Sequence, residues 1–364
     1  MKKSKVYISA ALLALGMSAC TKLDEKPYSE VIGEQFYNSK EEVMSAVLRP
    51  FTHANAWAAP TGQTGYWRLQ ELSADQLAWP QKGKHGYDGG NWIRLHDHSW
   101  IANDDNAWSP WRLMFWGMGF CNNTIKDLTP LDFKKIGMTD EDKVSILAET
   151  KVLRAWHYLK LMDLYGNIPI VTEVANPANP ATKPRKEVFA FIEKELKDNV
   201  EQLQPLSPAM LGRVSKAAGY AMLAELYLNA QEWSGTARWD DCITYCNKII
   251  AGEGGALNGS VPALEPDIFR AFANNNSASP EVLFQIAYDF RNGNFRFGWE
   301  GDFWHYHQRQ IYNVDRDGNN GIVVIPSAYD AFKDDDLRKQ HWMLIGPQKT
   351  DPALRENEAD SLVL

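Results

Sequence analysis

The residue types able to do chemistry are concentrated in a few stretches. Tryptophan is the most unusual of them: of 14 in the chain, eight fall between Trp57 and Trp116. Flat rings gathered this way either build a core or offer faces that stack on flat ligands. A second aromatic group holds Trp299, Phe303, Trp304, Tyr306 and Tyr312. Two His-x-His triplets, His96-Asp97-His98 and His305-Tyr306-His307, would place both rings on one face of a strand and could share a metal ion. Neither has a third ligand at a telling spacing, so no metal site is assigned. Asp315, Asp317 and Asn319 resemble the start of a calcium loop, but Asn320 stands at its sixth position and Pro326 at its twelfth, where Gly and Glu are needed. That run reads as a polar turn. Asp104 and Asp105 are neighbours in the chain, whereas a glycosidase needs two facing carboxyls about 5–10 Å apart, usually from separate segments. There is no GxSxG, HExxH, Walker or GxGxxG pattern, and no cofactor is expected.

The ends and the charge narrow the class. Of 364 residues, 46 are acidic and 38 basic, a net charge of −8, which makes a nucleic-acid partner a poor fit. Lys2, Lys3 and Lys5 precede a short apolar run, Val6–Met17, too short to remain as a membrane span. Leu15-Gly16-Met17-Ser18-Ala19 then leads to Cys20, which looks like a bacterial lipobox: residues 1–19 are the signal and Cys20 is the lipidated first residue. Several acyl chains, palmitate among them, at roughly 0.8 kcal/mol per buried CH2, anchor a protein without a spanning helix. Residues 20–35 read as a tether and 36–364 as a single domain. The remaining cysteines, Cys121, Cys242 and Cys246, read as small apolar residues in helices.

The elements that must position the aromatics are helices. Ser39 with Glu42 forms a capping box for a helix from about Lys40 that kinks or ends near Pro50. Helical periodicity fades from Ala54 to Asn106 and resumes near Trp108, with Trp111, Phe115, Met118 and Ile125 as its apolar stripe. Thr139 and Asp142 cap a helix whose stripe runs Leu147, Ala148, Val152, Ala155, Trp156, Leu159 and Met162. Gly166 ends it in a left-handed cap and Pro169 prevents its return, so Ile168, Ile170 and Val171 suit a short extended segment. Helices follow over Lys186–Leu203 and Val214–Ala230, and a third over Trp239–Ile250 with Thr236 as its cap. The last two have the spacing of a tetratricopeptide hairpin, and the two before them form another pair. Glu281–Ile286 and Ile322–Ile325 read as strands, and Ser327–Asp336 as a short helix. The predicted fold is mainly α: a tetratricopeptide-like helix-pair superhelix with long irregular inserted loops and a few short strands.

Several segments together carry a family resemblance. The lipobox at Cys20 is followed by Phe36-Tyr37-Asn38-Ser39-Lys40-Glu41-Glu42, then WRLMFWGMGFCNN (111–123), LRAWHYLKLMDLYGNIPIVTE (153–173), RVSKAAGYAMLAELYLNAQEW (213–233) and PSAYDAFKDDDLR (326–338). This resembles the SusD/RagB family of Bacteroidetes outer-membrane lipoproteins, from Cys20 to about Arg338. The resemblance implies a non-catalytic surface protein that captures glycan or another nutrient and delivers it to a TonB-dependent SusC-type porin. The acidic pair Asp24-Glu25 resembles the family's surface-export signal, which implies a lipid-anchored protein on the outer face of the outer membrane. Ser73-Ala74-Asp75-Gln76-Leu77-Ala78-Trp79 matches the segment that carries a ligand-facing aromatic in starch-binding members, so Trp79 is the first site candidate, with Lys82 at its rim. Tyr87 and Trp92 belong to the same region; Trp299, Trp304 and Tyr306 are the candidates of the second. Trp100, Trp108, Trp111 and Trp156 read as core. The family pattern continues into a C-terminal helical part that is not found before Leu364, so the domain reads as C-terminally incomplete. A surface glycoside hydrolase and a tetratricopeptide scaffold that binds only protein are the alternatives.

Overall fold

The computed structural model describes residues 36–58, 65–174, 179–287, 299–305 and 317–346. Cys20, the signal and the tether lie outside them. In chain order the elements are α1 (Lys40–Ala58), α2 (Tyr66–Leu72), β1 (Leu77–Ala78), α3 (Asn91–His96), α4 (Asp105–Leu128), α5 (Asp140–Tyr165), β2 (Ile168–Pro169), β3 (Thr182–Lys183), α6 (Arg185–Asn199), α7 (Lys216–Leu228), α8 (Ala230–Ser234), α9 (Trp239–Ile250), β4 (Val323–Val324), α10 (Pro326–Ala331) and α11 (Leu337–His341). Helices pack in sequence: α1 on α4, α4 on α5, α5 on α6, and α7 on α9. Both expected helix pairs form, and the fold is the mainly helical, tetratricopeptide-like stack.

Local chemistry explains most of the boundaries. Glu42 N–H donates to Ser39 Oγ at 3.2 Å while Glu42 Oε2 accepts from Ser39 N–H at 3.1 Å, so the first capping box is closed. The Thr139–Asp142 box at the start of α5 is closed in the same way. Gly166 has the expected positive φ, 70°, but a ψ of −94° turns the chain directly into β2 instead of through a left-handed cap. β2 pairs antiparallel with β3, Ile168 opposite Lys183. Beyond β2 the Tyr158 hydroxyl donates to Val171 C=O at 2.9 Å and accepts from Val171 N–H at 2.6 Å, which fastens that segment to α5.

Four expectations are corrected. Helix α1 does not end at Pro50 but continues to Ala58. A proline leaves the carbonyl four residues before it without a helical donor; here that carbonyl, on Ala46, accepts the hydroxyl of Thr124 from α4 at 3.3 Å. Helix α4 starts at Asp105, and its buried face is Pro110, Met114, Gly117, Met118 and Cys121; of the predicted stripe Met118 lies on that face, and Trp111, Phe115 and Ile125 are half-buried. Thr236 does not cap α9; Arg238 occupies that position. Residues 281–286 form no strand.

The centre of the stack is α5. Between Ser145 and Met162 only Leu147, Lys151 and Lys160 escape full burial. A helix buried this completely takes polar groups inside with it, and those need partners. Arg154 pairs with Glu195 of α6 and donates to Asn122 Oδ1 of α4 at 2.7 Å. Glu149 accepts from Arg213 Nε at 3.0 Å and from Val214 N–H at 3.3 Å, and its burial raises its pKa. His157 is fully buried beside Trp57 and Trp156 and bonds Leu153 C=O through Nδ1 at 2.8 Å.

Two consequences are measurable. Arg213→Ala leaves the Glu149 carboxylate buried without its cation and should cost about 3–5 kcal/mol in urea unfolding at neutral pH. His157 gives the second. Burial lowers its pKa from 6.5 to about 4. Above 6.5 neither state binds the proton; between the two values the unfolded chain does and the folded chain does not. Stability should therefore be lost as pH falls through that window, by roughly 3 kcal/mol at its lower end. Unfolding curves at a series of pH values should show that slope, and His157→Leu should flatten it.

Candidate functional site

The two irregular regions that the sequence marks are brought together. β1 pairs antiparallel with β4, Leu77 opposite Val324 and Ala78 opposite Val323. Ile325 N–H adds a bond to Gln76 C=O at 2.9 Å. Arg68 of α2 forms a buried ion pair with Asp302. The other carboxylate oxygen of Asp302 accepts from Asn319 Nδ2 at 2.8 Å, and its carbonyl accepts from Gly321 and Ile322 N–H at 2.9 and 2.7 Å. The second loop is thus tied to the first by backbone and charge together.

Under this junction lies a small satellite core of Leu72, Trp79, Trp92, Leu95 and Ile322. The Trp79 and Trp92 rings stack with centroids 4.8 Å apart and planes 12° from parallel. The Arg68 guanidinium lies 5.8 and 5.7 Å from their centres. Gly321 presses on the other side: a Cβ there would stand 2.4 Å from the Trp79 ring, so a side chain has no room.

The candidate residues therefore separate. Trp79 is 9% exposed and Trp92 1%, which corrects their reading as ligand-facing rings: each uses its face to pack on the other. Lys82 is half-buried, and its Nζ donates to both Asn320 C=O and Asn320 Oδ1 at 2.9 Å, so it binds the two loops together. Burial lowers its pKa. Tyr87 is 53% exposed. Trp304 is half-buried at the junction, its carbonyl accepting from Asn320 N–H at 2.6 Å. Trp299 opens a 3-10 turn, Trp299–Asp302. Its side chain, and the whole of Tyr306, lie outside the described residues. His96 ends α3 while His98 sits in a turn at φ 52°, bonding Ser73 C=O at 2.7 Å, so that His-x-His is not on a strand. Among the described residues no three His, Cys, Asp or Glu gather as metal ligands; Asp315 and His307 lie outside them.

What faces solvent is a set that shares Tyr87 with the candidates. Tyr87, Ile93, Trp100, Ile101 and Trp108 are all exposed, over one run of the chain. Trp100 and Trp108 were expected in the core; Trp111 is half-buried, and Trp156 is core as expected. The surface is held firm by one arginine. Arg94 donates to Gly89 C=O at 2.9 Å and to Asp104 Oδ2 at 2.9 Å, and Asp104 also accepts from Ile101 N–H at 3.1 Å. The turn from α3 to α4 is thereby closed, with Trp100 tilted against His98 at 5.5 Å. The Arg94 hydrogen bond holds the Asp104 carboxyl below its usual pKa, so it stays ionised and is no proton donor. Rigid exposed rings with polar neighbours can stack on the C–H faces of a ligand at little ordering cost. One sequence signal for this set was present: Gly117 and Cys121, small residues, mark the buried side of α4, and Trp108 lies off that side.

The family model described as "Starch-binding associating with outer membrane", of the SusD-like group, matches residues 22–228. The starch-binding protein SusD of Bacteroides thetaiotaomicron is 27% identical over 268 residues, 68% of this chain and 46% of that protein. A SusD superfamily protein from Parabacteroides distasonis superposes with a TM-score of 0.71 at 16% identity, covering 88% of this chain and 65% of the other. Surface glycan-binding protein A from Bacteroides thetaiotaomicron, solved with laminarihexaose, superposes with a TM-score of 0.66 at 19% identity, covering 83% and 62%. The chain spans about half the length of the curated relatives it matches. The family match covers more than half of this chain, and the solved structures repeat its helix stack: the chain belongs to the SusD-like family.

Proposed function

We propose that this chain is a cell-surface glycan-binding protein, anchored to the outer membrane through lipid on Cys20 and facing the exterior. It captures oligo- or polysaccharide without turning it over and delivers it to a TonB-dependent SusC-type porin. The observation that carries the binding reading is the exposure of Tyr87, Trp100 and Trp108 along a segment that Arg94 and Asp104 hold closed. Half-buried Trp304 stands at the loop junction, its carbonyl accepting from Asn320 N–H. The names of the starch-binding and laminarihexaose-bound relatives support the same ligand class. The engagement of Asp104 by Arg94 speaks against a hydrolase built on Asp104 and Asp105. No helix among the described residues is long and apolar enough to cross a membrane.

Two tests follow from this surface. In affinity gels over a panel of neutral polysaccharides, the Tyr87→Ala, Trp100→Ala double variant should lose about tenfold in affinity for the glycan that the wild type retains, with an unchanged melting temperature. Trp79→Ala should behave in the opposite order, losing about 3–5 kcal/mol of stability in its part of the structure because it empties the satellite core. Release of reducing ends from any of the polysaccharides would replace binding by hydrolysis. For the anchor, Cys20→Ala should move the protein out of the membrane fraction and abolish labelling by radioactive palmitate; an unchanged distribution would refute lipidation.

A further inference from the structure

The solvent side of α4 carries Trp108, Arg112 and Trp116 at four-residue spacing, and Phe120 continues the row. Trp108 and Trp116 are 55% and 53% exposed. The Arg112 guanidinium lies over the Trp116 ring, 4.9 Å from its centre. From α1, Arg49 lies over Phe120 at 4.3 Å. The His53 ring touches both Phe120 and Trp116, with centroids 4.9 and 6.5 Å away, so the row is one surface across two helices. Arg49 and Arg112 are exposed, and among the described residues neither takes part in an ion pair.

The charge around the row is unlike that of the chain. From Val43 to Ala58 α1 has no carboxylate, and from Asn106 to Lys126 α4 has none, in a protein of net charge −8. A guanidinium stacked on a ring is held flat by cation–π attraction and keeps its N–H edge free for a bidentate carboxylate. The row therefore offers the exposed Trp108 ring and two guanidinium edges carried on Trp116 and Phe120. Successive members rise about 6 Å along the helix axis, on the scale of one sugar ring.

We propose that this row is a second ligand surface, for an acidic polysaccharide whose sugars carry carboxylates. Trp108 stacks on a sugar ring, and Arg112 and Arg49, propped on Trp116 and Phe120, take the carboxylates. The proposal rests on the glycan-binding reading above and adds the ligand's charge.

Native gels containing polygalacturonate test it on the purified chain. The wild type should be retarded, and the Arg49→Gln, Arg112→Gln variant should lose about tenfold in affinity. The Trp116→Ala variant should also weaken binding, while the Tyr87→Ala, Trp100→Ala variant should still be retarded. The last arm separates this proposal from the loop surface: if only neutral glycans bind, and only through Tyr87 and Trp100, the row is overturned and the loop reading stands. Loss in the arginine variant with Trp116→Ala unchanged would mean unspecific charge attraction and would sink the proposal. So would binding to phosphatidylglycerol vesicles, removed by the same substitutions, in a protein that ignores polygalacturonate.

Discussion

The structure depends on burying α5 on nearly every side. A helix with one wet face can leave its charges in water; α5 cannot. Arg154, Glu149 and His157 go into the core with it, and each dictates what stands opposite. Arg154 requires Glu195, which sets the rotation of α6, and Asn122, which sets that of α4. Glu149 requires Arg213 and the Val214 amide, which sets the entry to α7. Apolar packing supplies most of the driving force, but it tolerates a helix turned by a fraction of a turn. The paired charges do not, so they give the stack its register.

The same division between scaffold and surface explains what the sequence made legible. Helix ends were readable because their chemistry is local: Ser39–Glu42 and Thr139–Asp142 need only four residues to close. Pro50 misled because its remedy, the Thr124 hydroxyl, is supplied by another helix. Thr236 misled because a possible cap is not a used one. The run at 281–286 has strand composition, but among the described residues no neighbouring strand pairs with it.

The aromatics show the limit more sharply. Trp79, Trp92, Trp100 and Trp108 belong to one tryptophan-rich region, and two are buried while two are exposed. What sorts them is contact with residues far along the chain. Gly321 and Ile322 close over Trp79, and nothing in the sequence near Trp79 announces them. The two loop regions that the sequence marks do meet, for β1 and β4 pair. The residue at their meeting point turned out to serve the junction, and the rings around it to serve the solvent side. Family resemblance located the segment; only packing could say which ring in it is free.

The Arg68–Asp302 pair joins residues 234 apart in sequence, whereas the contacts that stack α5 on α6 are a few tens of residues apart. Closing so large a loop is entropically costly and slow relative to helix pairing. The helix stack can therefore assemble while the junction is still open, and the closure of Gly321 and Ile322 over Trp79 comes late. Folding order and mechanical order then coincide. The last part to close is the part whose loss leaves the rest intact, so the loop surface can be rebuilt or exchanged between relatives without redesigning the stack that carries it.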